Sequence, residues 1–238
     1  MKIKNILLLF ASKWVGLWRR WQVWRARLYT KRYMPELLVA YAAFSRMGQS
    51  GSPRQPFKGW DLWKILQSIQ PKSVVELGSG TTSAIFALWS IKSGAAYTAF
   101  EHHEDWAKIT SQCLSAANLT PSAGSGVICV PSRVNEDQES VGFGQELPAA
   151  ADFLYVDGPP CILEDGRKVA NNDATRFLDR GLFPKAIVVD GRIETVDLIL
   201  KHPAITRYLF KPSLAYCIRK GLFIQALAGR EHSLFLRK

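Results

Sequence analysis

From residue 73 onward, short apolar runs alternate with stretches whose apolar positions recur every three to four residues. The runs Ser73–Leu77, Ala96–Glu101, Gly126–Val130, Asp152–Asp157 and Ala186–Asp190 have strand length. Between and after them Thr82–Ser93, His103–Ala117, Asp173–Arg180 and Thr195–Lys201 carry helical spacing, and two last strands are expected at Ile205–Lys211 and Ser233–Arg237. Strands alternating with helices at this interval predict an α/β fold: a doubly wound, mostly parallel seven-stranded sheet with helices on both faces. Upstream, Glu36–Met47 and Gly59–Ile69 read as helices separated by a loop of helix breakers, 48–53. The organisation that follows is a basic arm at 1–35, a helical lead-in at 36–71 and an α/β domain at 72–238.

The arm has its own pattern. At 100° per residue Leu7, Phe10, Trp14, Leu17, Trp18, Trp21, Trp24 and Leu28 form one stripe, interrupted by Arg25, with Lys13, Arg19, Arg20, Arg27 and Lys31 beside or opposite it. Lys13 breaks the apolar run long before the roughly 20 residues that a membrane span needs. No small-residue cleavage site follows, as a secretory signal would require, and a mitochondrial presequence is seldom so rich in tryptophan and poor in serine. Tryptophan favours the headgroup level and arginine can snorkel to phosphates, so the pattern suits a helix lying on an anionic membrane surface through residues 1–33. The alternative is a helix whose tryptophans pack on the α/β domain or on a second subunit.

Charge sharpens this division. The chain of 238 residues has a formal charge of +11, yet residues 1–35 hold nine cations and no acid, leaving 22 cations against 20 acids elsewhere. The α/β part therefore lacks the footprint of a nucleic-acid binder, and no nucleic acid is expected. The four cysteines lack CxxC spacing and read as free thiols in a reducing compartment. The expected location is cytoplasmic, peripheral on the membrane.

In an open parallel sheet, ligands sit beyond the carboxyl ends of the strands. The first strand ends Val75-Glu76-Leu77 and breaks into Gly78-Ser79-Gly80-Thr81-Thr82-Ser83 before a helix, a turn that admits a nucleotide-like ligand. A dinucleotide fingerprint wants a third glycine where Ser83 stands, and Glu76 suits a sulfonium and an α-amino group better than a pyrophosphate. Glu101, about 20 residues past the glycines, is placed to accept ribose hydroxyls.

With Phe100-Glu101-His102 and Phe153-Leu154-Tyr155-Val156-Asp157-Gly158-Pro159-Pro160 added to the glycine loop, the sequence resembles the class I S-adenosylmethionine-dependent methyltransferases over roughly residues 58–238. Glu-His followed by Trp106, Asp-Gly-Pro followed by Arg167, and a further strand ending in Asp190 look like the branch that methylates small molecules and sugars on oxygen. The resemblance implies S-adenosylmethionine as cofactor, with Gly78, Ser79, Gly80, Thr81 and Thr82 at its methionine end, Glu101 on the ribose, His102 near the adenine and Ser132 at the adenine edge. It implies a small-molecule or glycan acceptor. Asp157 and Asp190 end neighbouring strands and should both face the methyl group. In catechol-type enzymes comparable acids hold Mg²⁺, but that pattern adds an Asn or Asp where Gly191 stands, which argues against the metal. Without a metal, Asp157 or His103 takes the acceptor's proton and Arg167 or Arg192 holds an acidic acceptor. A dinucleotide-dependent oxidoreductase and a non-catalytic scaffold are the competing readings.

Overall fold

A computed structural model describes residues 3–49, 54–121, 126–135, 140–143, 147–148, 150–159, 162–163, 165–222 and 230–238, with side chains from residue 16 onward except that of residue 19. Three helices come first: α1 (Ile3–Tyr33), α2 (Pro35–Arg46) and α3 (Gln55–Ile69). Then follow β1 (Ser73–Leu77), α4 (Ser83–Ser93), β2 (Ala96–Glu101), α5 (Glu104–Ala116), β3 (Gly126–Cys129), β4 (Arg133–Val134) and β5 (Ser140–Gly142). The remainder is β6 (Phe153–Val156), β7 (Ala170–Asn171), α6 (Asp173–Asp179), β8 (Ala186–Val189), α7 (Ile193–Lys201), β9 (Tyr208–Lys211), α8 (Leu214–Arg219) and β10 (Ser233–Arg237).

The main sheet has seven strands in the order β3-β2-β1-β6-β8-β10-β9, with β10 antiparallel to both of its neighbours. Period-two alternation divides the core between its two faces. Val74, Tyr97, Phe153, Tyr155 and Val188 pack with α3 and α4 residues such as Leu62 and Phe86, while Val75, Leu77, Leu154, Val156, Ile187 and Val189 pack on the other face with Phe177 and Ile199. The strands are apolar on both faces because helices cover both, as the run-like sequence pattern indicates.

Three expectations need correction. The strand expected at Ile205–Lys211 begins only at Tyr208, because Pro203–Arg207 forms a 3-10 turn capped by His202, whose side chain accepts from the Ala204 N–H. The stretches 131–146 and 161–172, for which the sequence predicts no element, contain β4, β5 and β7, which form a small separate sheet. Strands of two or three residues are too short for alternation to show. Helix α8, begun by the Ser213 hydroxyl accepting from the Tyr216 N–H, was not anticipated either.

Helix α1 packs against α2 and α3, with Ala26 and Thr30 buried and the Tyr29 ring 6.2 Å from that of Trp60. Of the described stripe residues, Leu17, Trp21, Trp24 and Leu28 are exposed and Trp18 is half-buried. The contribution of Leu7, Phe10 and Trp14 to that stripe lies outside the described side chains. Among the described residues no helix is long and apolar enough to cross a membrane.

Candidate active site

The strands β1, β2, β6 and β8 deliver their final residues to one edge of the sheet, and a cavity of about 550 Å³ opens there, within the range of small-molecule sites. It is lined by Gly78, Ser79, Glu101, His102, His103 and Asp157, together with Trp106, Gly158 and Arg192. These residues come from four separate chain segments, and most had been singled out from the sequence.

The floor is two backbones in contact. Gly78 has φ +89°, and a Cβ there would lie 2.5 Å from the Gly158 Cα; a Cβ on Gly158 would lie 2.3 Å from the Gly78 Cα. Neither position admits a side chain, so the glycine loop and the Asp157-Gly158 turn are held against each other. Arg192 fastens the same turn from β8's end, donating to the carbonyl oxygens of Pro159, at 2.8 Å, and of Asp157.

Three of the loop's N–H groups are spent within the protein. Gly78 N–H donates to Phe100 O, Ser79 N–H to Glu101 Oε2 and Gly80 N–H to Ser83 Oγ. Serine at the third-glycine position therefore ties the loop down. Glu101 is almost fully buried, and its carboxylate accepts from Ser79 N–H and Oγ on one oxygen and from the His102 and His103 N–H groups on the other. The Ser79 hydroxyl also lies 3.2 Å from Thr110 Oγ1, so its proton can turn there and release an acceptor site on Glu101 to a ligand. Trp106 Nε1 donates to Ser79 O at 2.5 Å, fixing the loop from α5.

Glu76 departs from its expected place. Alternation along β1 sends it to the same face as Val74, the face covered by α4, and it is completely buried. Its carboxyl accepts from Thr82 Oγ1 at 2.8 Å, Ser83 Oγ at 2.7 Å and Tyr97 OH at 2.5 Å. Burial pushes it up to about 8 in spite of these three hydrogen bonds. Glu76 holds the glycine loop from below and does not face the cavity. Thr82 serves the same purpose, and Gly80 and Thr81 do not line the cavity.

The two strand-end aspartates also part company. Asp157 lines the cavity with its side chain 38% exposed, and desolvation together with the charge of Asp190 raises its carboxyl, against the pull of Arg192 and Lys58. Asp190 is turned away: Lys58 of α3 makes a short ion pair with its Oδ2, which also accepts from Tyr155 OH at 3.2 Å. Burial would raise the Asp190 carboxyl, but the charges of His232 and Lys58 outweigh it and hold it down. His232 is wholly buried, 3.2 Å from Asp61 and with its ring 5.8 Å from that of Tyr155. Lys58 and His232 were missed because they reach the site from 132 and 171 residues away in the chain relative to their partners. Neither carries a local signal: polar Gln55 and Asp61 stand three residues to either side of Lys58, which precedes the helix expected from Gly59.

The acids do not fit a magnesium site. Lys58 already supplies the counter-charge to Asp190 and Arg192 lies 3.6 Å from Asp157, so each carboxylate faces a protein cation. Among the described residues no three His, Cys, Asp or Glu groups come together to hold an ion. Arg167 lies outside the cavity, paired at 2.6 Å with exposed Asp165, and Ser132 is likewise not part of the lining.

The strand order with its single reversed strand beside β8, and the cavity over the ends of the central strands, can be compared with solved structures. The fold is that of the class I methyltransferases. An O-methyltransferase from Bacillus cereus in complex with SAH (S-adenosylhomocysteine) is 15% identical and superposes over 89% of this chain and 96% of its own, with a TM-score of 0.53. An SAH-bound methyltransferase from Podospora anserina is 13% identical over 90% of this chain and 94% of its own, TM-score 0.56. A methyltransferase from Geobacter sulfurreducens is 14% identical over 90% and 97%, TM-score 0.50. No protein-family model matches the chain, and no curated protein matches it in sequence.

Proposed function

We propose that the protein is an S-adenosylmethionine-dependent O-methyltransferase acting on a hydroxyl of a small molecule or glycan. One observation carries this reading: Gly78, Ser79 and Gly80 donate their N–H groups inward while two acids, Asp157 and Glu101, face the cavity. A pyrophosphate needs free backbone N–H groups and repels carboxylates. A cationic, ribose-bearing ligand needs the reverse, and the SAH-bound proteins of the same fold support that choice.

When bound, the cofactor supplies an electrophilic methyl group on a sulfonium. Asp157 would hold the cofactor's α-amino group, Glu101 its ribose and His102 its adenine side. His103, at the cavity wall, would take the proton of an acceptor hydroxyl held against that methyl group. Asp190 does not touch the reacting atoms in this scheme; it positions Lys58 and sets the charge that Asp157 feels. Arg192 acts on the Asp157 turn, not on an acidic acceptor. The exposed stripe Leu17, Trp21 and Leu28 on α1 supports peripheral attachment to an anionic membrane.

Calorimetry with S-adenosylhomocysteine and NAD⁺ tests the assignment. Micromolar-range binding of S-adenosylhomocysteine, lost in Asp157→Ala, is the expected result; tight binding of NAD⁺ alone would reverse the choice. His103→Ala should retain S-adenosylhomocysteine binding and lose roughly 10²-fold in transfer rate once an acceptor is in hand.

A further inference from the structure

A second cavity, of about 560 Å³, opens between α1 and the start of α3. Arg20, Trp24 and Arg27 line it from α1, Arg54 and Phe57 from the start of α3, and Glu231 closes it. On α1 the three residues stand at i, i+4 and i+7, so one helix face presents two guanidinium groups with an indole between them. Arg20 and Arg27 thus bring two guanidinium groups to this space, and among the described residues no acid lies within ion-pair distance of either. Guanidinium groups converging on one space repel each other until an anion joins them, and they match the oxygens of a phosphate two at a time. The walls of Trp24 and Phe57 add an apolar lining of the kind that takes a hydrocarbon chain.

Two residues of the lining are followed directly in the chain by residues of the Asp190 network. Phe57 lines the cavity and the next residue, Lys58, pairs with Asp190. Glu231 lines it and the next residue, His232, packs on Tyr155 beneath the same aspartate. Lys58 feels both Asp157 on the cleft side and Glu231 on the cavity side. Outside the mouth, Leu17, Trp21 and Leu28 continue an exposed apolar stripe.

We propose that this cavity binds the phosphate of an amphiphilic acceptor, a long-chain lipid phosphate whose hydroxyl-bearing part extends past Lys58 into the cleft. The site itself stands on the arginine and aromatic lining; its service to the acceptor rests on the methyltransferase reading.

The test uses the full chain and, as probe, dodecyl phosphate held below its micelle-forming concentration, titrated by calorimetry. Inorganic phosphate and vesicles of phosphatidylcholine with phosphatidic acid form the other two arms. The expected result is saturable one-to-one binding of dodecyl phosphate, weakened about tenfold or more in Arg20→Ala/Arg27→Ala, with inorganic phosphate binding far more weakly. No binding, equal binding by the double variant, or capture by vesicles without binding of the monomeric probe would overturn the site. S-adenosylhomocysteine is titrated into both proteins in parallel. If it binds equally while dodecyl phosphate fails, the cavity proposal falls and the methyltransferase reading stands; if it fails and dodecyl phosphate binds, the reverse holds. Tritium from labelled S-adenosylmethionine should then appear, with a lipid extract of the source cells as acceptor, in a product retained on an anion exchanger. Label confined to uncharged products would sever the cavity from the acceptor.

Discussion

Asp157 and Asp190 follow neighbouring strands and stand in opposite circumstances. Asp190 has a lysine, a tyrosine and a nearby histidine to hold its charge, and it stays ionised. Asp157 has the open cavity and its neighbour's repulsion, and its carboxyl is raised. A raised carboxyl in the folded state favours the protonated form, so it stabilises the fold below its unfolded value and loses that contribution as pH rises through the folded value. An ammonium group arriving at Asp157 needs the ionised form. The affinity for S-adenosylhomocysteine should therefore increase from about pH 6 to about pH 8 in the wild type and stay flat over that range in Asp157→Asn, as calorimetry at stepped pH would show. A flat wild-type profile would remove Asp157 from the role assigned to it. Lys58 invites a different measurement. Lys58→Met leaves a buried carboxylate without its counter-charge and should cost about 3 kcal/mol in denaturant unfolding; adding Asp190→Asn should recover most of that loss. If the double variant is no better than the single one, the pair is not the reason for the loss.

At the scale of elements, α1 is a helix with two uses. Its Ala26 and Thr30 face binds it to the helical layer, and its Leu17, Trp21 and Leu28 face is left to solvent. Deleting the arm would uncover the apolar side of α3, so deletion confounds attachment with stability. Leu17→Ser/Trp21→Ser/Leu28→Ser avoids that. The triple variant should keep its unfolding midpoint while losing most of its flotation with anionic liposomes; unchanged flotation would rule out attachment through this face. The apolar periodicity located the stripe but could not tell which side of the helix would be covered. Burial there is decided by α2 and α3, through the small residues Ala26 and Thr30, which contribute little to any hydrophobic pattern.

Across the whole molecule, what the sequence made legible was whatever depends on local period and on strand ends. The five parallel strand runs and the cavity residues Gly78, Glu101, His102, His103 and Asp157 follow from alternation and from the rule that parallel sheets carry ligands at their carboxyl edge. What stayed hidden depends on three-dimensional neighbours. Glu76 looked like a ligand group because its place relative to the glycines was weighed before its parity along β1, which points it at the hydroxyls of Thr82, Ser83 and Tyr97. Lys58 and His232 reach Asp190 and Asp61 only because α3 and β10 meet over the sheet, a closure with no local signature.

The interlocked glycines have a consequence for motion. With Gly78 and Gly158 too close for a single added carbon, neither turn can open without displacing the other. Their amide hydrogens should trade with heavy water as one cooperative unit, and S-adenosylhomocysteine should slow residues 78–80 and 157–158 by a common factor. Exchange followed by mass spectrometry would reveal two independent rates if the turns were mechanically separate. A shared rate would make the methyl-donor side of the cleft a single moving part.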